Sequence, residues 1–248
     1  GAGLVVSAAL LIGDWQTTFH GIAVAALLST AGFVVATRRT ELPDAGGADR
    51  DLLEAFRQQW RIILAGVVII SASGFVWQGV FNFLDSYLRT RGFAGGEARL
   101  VLTGVFAAGV PAFAVTGWLA DRVALVPLLL SILGGFAICV FALTLPLGTA
   151  WIVTVALVMG YVIHSLFPAM DTYLLGSLPD RHRASAYAVY SGTMMLIQAT
   201  GSWAVGLLTD AGFSFPFIYR SFAVGLAVVL LGLVVTYRVG RLPTGARA

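Results

Sequence analysis

The sequence predicts an all-α, polytopic membrane protein, on three observations. Eight apolar stretches, each set off by a short polar or glycine/proline-rich break, fill nearly all of the 248 residues. Hydrophobic residues make up 58% of the chain and charged ones 11%, far below the ~25% usual in soluble proteins. The breaks also alternate between arginine-rich and arginine-poor along the chain. Crossing ~30 Å of hydrocarbon takes roughly 20 apolar residues of helix, and a helix satisfies its own backbone hydrogen bonds where no water can.

The expected spans are Ala2–Gly13, Thr17–Thr37, Ile62–Leu88, Ala98–Ala120, Val123–Leu145, Trp151–Leu178, Ala184–Thr209 and Phe215–Tyr237. The first is only ~18 Å long at ~1.5 Å per residue, too short to cross. With Gly1 in place of an initiator Met, it reads as a helix cut through its middle. No basic start or small-residue cleavage site marks a signal peptide.

All fifteen basic residues are arginine. Eleven fall on one side of the alternating breaks: Arg38, Arg39, Arg50, Arg57 and Arg61, then Arg122, Arg181 and Arg183, then Arg238, Arg241 and Arg247. The other side holds four: Arg89, Arg91, Arg99 and Arg220. Positive loops stay cytoplasmic, so the richer set, with the C terminus, is expected in the cytoplasm. Scattered through loops, the arginines form no nucleic-acid patch. The single cysteine, Cys139, excludes an intrachain disulfide and a cysteine-based metal site. No metal or other cofactor is expected.

Three regions follow: residues 1–37 with two helices, a polar linker at 38–61, and a six-helix bundle at 62–248. The linker mixes its five arginines with Glu41, Asp44, Asp49, Asp51 and Glu54. Its second half, Asp49 to Trp60, has two readings. Leu52, Leu53, Phe56 and Trp60 at helical spacing suit an interfacial helix, and the charges suit a solvated linker.

Polar side chains inside the spans are costly and generally face a cavity or another helix. In the third span, Ser71, Phe75, Gln78, Asn82, Asp85 and Arg89 share one helical face, and Asp85 and Arg89 are spaced for an ion pair. The sixth carries Gly160, His164, Pro168 and Asp171; the seventh carries Tyr187, Ser191, Met194, Gln198 and Gly201. Three polar stripes converge most simply on a shared, water-accessible cavity. The alternative is that these groups hydrogen-bond between helices and hold the bundle together. His164 lies near mid-span, where a group of ordinary pKa ~6.5 carries protons at physiological pH. Asp171, nearer the cytoplasmic end, suits a gating salt bridge or proton transfer. The fifth and eighth spans are almost purely apolar and read as peripheral. Pro111 and Pro168 should bend their helices, and Ala156/Gly160 and Ser202/Gly206 permit close helix contact. No G-x-S-G nucleophile, G-x-G-D pair or H-E-x-x-H helix is present, so an intramembrane enzyme is not expected.

The turns carry a resemblance. Gly117-Trp118-Leu119-Ala120-Asp121-Arg122 resembles the G-x-L-A-D-R turn of the major facilitator superfamily (MFS). The stretch Leu178 to Ala186, with Pro179, Arg181, Arg183 and Ala186, looks like that family's P-x-x-x-R-x-x-A turn. Gly13 to Phe19 is similar to the G-W-R-x-x-F start of its sixth helix, and Gly206 to Asp210 to the G-x-x-x-D end of its eleventh. Val123 and Ala124 depart from the Gly and second basic residue usual after Asp-Arg, and Ser177 stands where an acid is common. Any cytoplasmic charge relay would then rest on Asp171.

The resemblance implies helices five to twelve of a twelve-helix transporter, a C-terminal two-thirds whose partner helices precede residue 1. It implies a small solute moved by alternating access in the plasma membrane. The pathway would use Gln78, Asn82, Asp85, His164, Asp171, Tyr187 and Gln198, and a cytoplasmic gate Gly117, Asp121, Arg122, Arg181 and Arg183. For Arg183, plain topology anchoring is the other reading. A non-transporting receptor or partner protein on the same fold is the alternative function.

Overall fold

The computed structural model describes residues 15–38 and 52–243, divided between a unit ending at Gly47 and a second beginning at Ala48. The first expected span, Ala2–Gly13, and most of the 38–61 linker lie outside the described residues. Among the described residues there are eight helices and no strand.

The first unit contributes α1, Trp15–Thr37. It is apolar on every side, and the hydroxyls of Thr30 and Thr37 return to Ala26 O and Phe33 O of their own helix at 2.8 Å each. A helix with no polar face suits lipid, not water.

In the second unit, α2 runs Leu52–Asn82, α3 Leu84–Thr90, α4 Gly95–Ala120, α5 Leu125–Leu143, α6 Thr149–Ser177, α7 Asp180–Asp210 and α8 Phe215–Arg238. Six of the eight helices, all but α3 and α7, are long and apolar enough to cross a membrane. At 31 residues α7 has the length, but its hydroxyls, amides and terminal charges make it less apolar. The breakers explain the boundaries: Pro146 and Gly148 precede α6, Pro179 follows it, and Gly212 takes a left-handed φ of 88° after α7.

The third expected span differs at both ends. Its helix begins ten residues earlier, at Leu52, so Leu52, Leu53, Phe56 and Trp60 form the first turns of α2 rather than a separate surface helix. Arg57, Gln58 and Gln59 are good helix formers and do not interrupt it. At the other end the helix breaks at Phe83 (φ −105°, ψ 5°), separating α3. Side chains from neighbours take up carbonyls just before the break. Ser202 Oγ donates to Gln78 O at 3.0 Å, and Tyr219 Oη donates to Val80 O at 3.3 Å.

Two long pairings organise the bundle, α2 along α7 and α4 along α6, with α5 packed between α6 and α8. That placement gives α5 one side buried against protein, while Ile138 and Phe141 on its other side are exposed, as a peripheral helix requires. Leu129, Leu133, Phe136 and Leu143 are fully buried on its inner side. Pure apolarity here serves two protein neighbours as well as lipid. Glycines set the closest approaches. A Cβ on Gly160 would overlap the backbone of Val105, and one on Gly201 would overlap the carbonyl of Phe75.

Arginines of the arginine-poor side close the end of α5, where unsatisfied carbonyls and the dipole favour a cation. Arg220 Nε donates to Thr144 Oγ1 at 3.0 Å and its Nη2 to Thr144 O at 3.3 Å. Arg91 Nη2 donates to Leu145 O at 2.9 Å, and the hydroxyl of buried Tyr87 donates to Leu143 O.

The expected ion pair is present: Arg89 Nε lies 2.6 Å from Asp85 Oδ2, with the side chains 51% and 34% exposed. Exposed i,i+4 pairs contribute only ~0.3–0.5 kcal/mol. Asp85→Asn should therefore shift unfolding of the full-length protein by no more than about 0.5 kcal/mol in chemical denaturation; a larger loss would mean that the pair closes a wider network.

Candidate functional site

The site is built on α6, whose inward stripe the sequence places at His164 and Asp171, seven residues apart. Gly160 lets α6 lie against Val105 of α4, and Gly109 of α4 does the same for the His164 ring, which fills the space a Cβ there would take. His164 Nδ1 lies 2.6 Å from Gly160 O. A carbonyl only accepts, so Nδ1 carries the proton in that bond and Nε2 keeps its lone pair. Pro168, lacking an N–H, leaves the carbonyl of His164 without its usual helical donor.

Around the imidazole stand aromatic rings from three helices. Trp77 of α2 meets it edge-on, centroids 5.7 Å apart. Phe106 and Phe113 of α4 lie at 5.8 and 6.2 Å, and Phe167 of α6 at 6.5 Å. Phe81, one turn beyond Trp77 and stacked on it at 5.0 Å, joins Phe106 at 4.8 Å. Edge-to-face and offset-stacked rings at these separations are favourable pairs. The result is an aromatic ring set with one imidazole, at half-burial, where α2, α4 and α6 meet.

Seven residues further along α6, Asp171 Oδ1 accepts a 2.8 Å hydrogen bond from the Tyr187 hydroxyl of α7. This links two of the stripe residues that the sequence singles out, across two helices.

Gln78, Asn82 and Gln198 sit elsewhere, on the seam between α2 and α7. Asn82 Nδ2 donates to Ser202 Oγ at 2.5 Å and to Gln78 Oε1 at 3.3 Å. Gln198 lies over Gly74, with Nε2 3.4 Å from Ile70 O and 3.7 Å from Met194 Sδ. Ser71 and Phe75 of the same face line a groove with Phe222 and Leu226 of α8. Successive helical residues are turned by about 100°, so Gln78 and Asn82 look toward α7 while Trp77 and Phe81 look toward α6. The polar face of α2 is therefore bonded to its neighbour, and its aromatic face meets His164. Asp85, on α3 beyond the break, is engaged with Arg89.

The residues of the two turns are held locally. Arg122 Nη1 donates to Trp118 O at 2.9 Å and its guanidinium lies 4.3 Å from the Trp118 ring centroid. Arg183 Nη2 lies 2.6 Å from Asp180 Oδ1. Asp121 and Arg181 are exposed, and the Cα of Gly117 faces open space. Arg122 and Arg183 are thus folded onto their own helices.

The sequence reading missed Trp77, Phe81, Phe106, Phe113 and Phe167, because aromatic residues in a span look like ordinary lipid-facing ones. The signal was spacing: Trp77/Phe81 are four apart, Phe106/Phe113 seven, and His164/Phe167 three.

With this geometry in place, comparisons with known proteins bear on it. A sequence model of the Major Facilitator Superfamily matches residues 1–165 and again residues 91–248. An uncharacterized MFS-type transporter of Bacillus subtilis (strain 168), YwfA, is 24% identical over 201 residues, 80% of this chain and 46% of that protein. The multidrug export protein EmrB of Escherichia coli (strain K12) is 29% identical over 137 residues, 55% of this chain and 27% of that protein. The chain thus spans less than half the length of the curated relatives it matches.

Proposed function

The chain belongs to the Major Facilitator Superfamily, and from that premise we propose that the full-length protein is a secondary active transporter moving a small solute by alternating access. The observation that carries this is the half-buried His164, ringed by aromatics from α2, α4 and α6 and followed on the same face by the Asp171–Tyr187 bond. An ionisable side chain inside a membrane span is costly and by default marks a substrate or ion pathway, so a transport role accounts for its placement. An aromatic lining with one polar group suits an apolar or aromatic solute, in keeping with the relative named a multidrug export protein.

Transport is coupled to protons in this reading. Nε2 of His164 takes up and releases the proton while Nδ1 stays bonded to Gly160 O. The arginine-rich ends and the C terminus lie in the cytoplasm, and the membrane is the plasma membrane. Arg122, Arg181 and Arg183, with Asp121 and Gly117, form the cytoplasmic closure, the two arginines now folded on their own helices being free to exchange partners as the halves rock.

The test is transport by the full-length protein in proteoliposomes under an imposed pH gradient, with a fluorescent lipophilic aromatic compound. Gradient-driven flux is expected, and His164→Ala should reduce it about tenfold or more, an apparent loss of at least ~1.4 kcal/mol. Unchanged flux in His164→Ala would reject the site. Binding without flux would favour a receptor on this fold.

A further inference from the structure

A second site lies at the arginine-rich end of the bundle, away from His164, where the start of α2 meets the end of α8. A groove of about 440 Å³ is lined there by Trp60, Arg61, Leu64 and Val68 of α2, Leu233 of α8, and Arg241 just beyond α8. Its two ends differ in chemistry. Leu64, Val68 and Leu233 form an apolar floor running into the membrane-spanning part, while Arg61 and Arg241 stand at the mouth.

The mouth is built by the fold. Gly240 adopts a left-handed φ of 68° and ends α8, with Arg241 N and Leu242 N both bonded to Thr236 O at 3.0 and 3.3 Å. The segment after it is pinned by the Tyr173 hydroxyl, which donates to Pro243 O at 2.8 Å, and Leu242 is buried. Arg241 thereby lines the groove together with Trp60 and Arg61 of α2. Trp60 is 45% exposed beside it, with the Arg61 guanidinium 5.5 Å from its ring centroid. Glu54, two turns before Arg61, is engaged with Gln58. Among the described residues, neither Arg61 nor Arg241 has an ion pair.

The geometry points to a binding site for an anionic phospholipid, its phosphate between Arg61 and Arg241 and an acyl chain along Leu64, Val68 and Leu233. Guanidinium groups match phosphate oxygens bidentately. Tryptophan settles at the headgroup level, and the apolar floor takes the chain that a free phosphate lacks. Charge at the mouth and apolarity below select an anionic lipid over a soluble anion.

The full-length protein in phosphatidylcholine vesicles, doped with either dibrominated phosphatidylglycerol or the same fraction of dibrominated phosphatidylcholine, tests this. Trp60 emission is read as the difference between the native protein and Trp60→Phe. Quenching should favour the anionic lipid by about fivefold or more, since each arginine near the surface contributes roughly a fivefold preference. Arg61→Gln with Arg241→Gln should bring the ratio to about one. Millimolar inorganic phosphate should leave the preference intact. The inference fails if the native ratio is near one, if the preference survives the double substitution, or if free phosphate abolishes it. Thermal unfolding of the double variant in phosphatidylcholine, unchanged from the native protein, checks that the fold is kept.

Discussion

Gly201→Ala is expected to destabilise the full-length protein by about 1–3 kcal/mol, the usual cost of forcing an extra methyl group into a packed contact. The contact in question is unusually unforgiving. A Cβ on Gly201 would fall on the Phe75 carbonyl and close to Gly79 N, and these are backbone atoms that cannot rotate aside. Helices α2 and α7 would have to separate. Ser202, the next residue, would then lose reach of Gln78 O, and Asn82 would lose reach of Ser202 Oγ. Each such interhelical bond averages only ~0.6 kcal/mol, so the steric term dominates. Gly192→Ala on the same helix is the matched control. Nothing lies within 4 Å of a Cβ there, so the better helix former should be neutral or stabilising by up to ~1 kcal/mol. Thermal and denaturant unfolding in nanodiscs of both variants measures the contrast. Equal behaviour would show that the α2–α7 approach is looser than described.

That same seam shows what sequence patterning reads and what it does not. Breakers made the helix limits legible: α8 is expected at Phe215–Tyr237 and found at Phe215–Arg238, and α6 at Trp151–Leu178 and found at Thr149–Ser177. The start of α2 was only partly legible: helical spacing marked Leu52, Leu53, Phe56 and Trp60, but hydropathy marks where a helix enters lipid and did not join that stretch to the span beginning at Ile62. Polar periodicity correctly aligned Gln78 and Asn82 on one face and His164 and Asp171 on another. It could not say what each face meets. Two helices hydrogen-bonded to each other and two helices flanking a cavity carry the same stripe, since both remove polar atoms from lipid. Only packing separates them, and here it assigns Gln78, Asn82 and Gln198 to the α2–α7 contact and His164 to the aromatic set. The aromatic residues were invisible for the converse reason: their apolarity satisfies lipid and cavity equally.

Asp171→Asn should cut pH-gradient-driven transport by about tenfold or more, equivalent to at least ~1.4 kcal/mol, with little change in stability. Asparagine keeps a side-chain oxygen where the Tyr187 hydroxyl donates at 2.8 Å, so the rung between α6 and α7 survives while the charge and the proton site go. Tyr187→Phe does the opposite. It leaves the carboxylate in place, half-buried and short of its donor, which costs about 1–3 kcal/mol of stability. If Asp171 works with His164 in proton movement, Asp171→Asn loses gradient-driven flux but retains counterflow exchange, which needs no net proton transfer. If the pair is only a brace, Tyr187→Phe is the more damaging change and Asp171→Asn transports normally. Measuring unfolding alongside both modes of flux for the two variants distinguishes a charge that does chemistry from one that holds helices together.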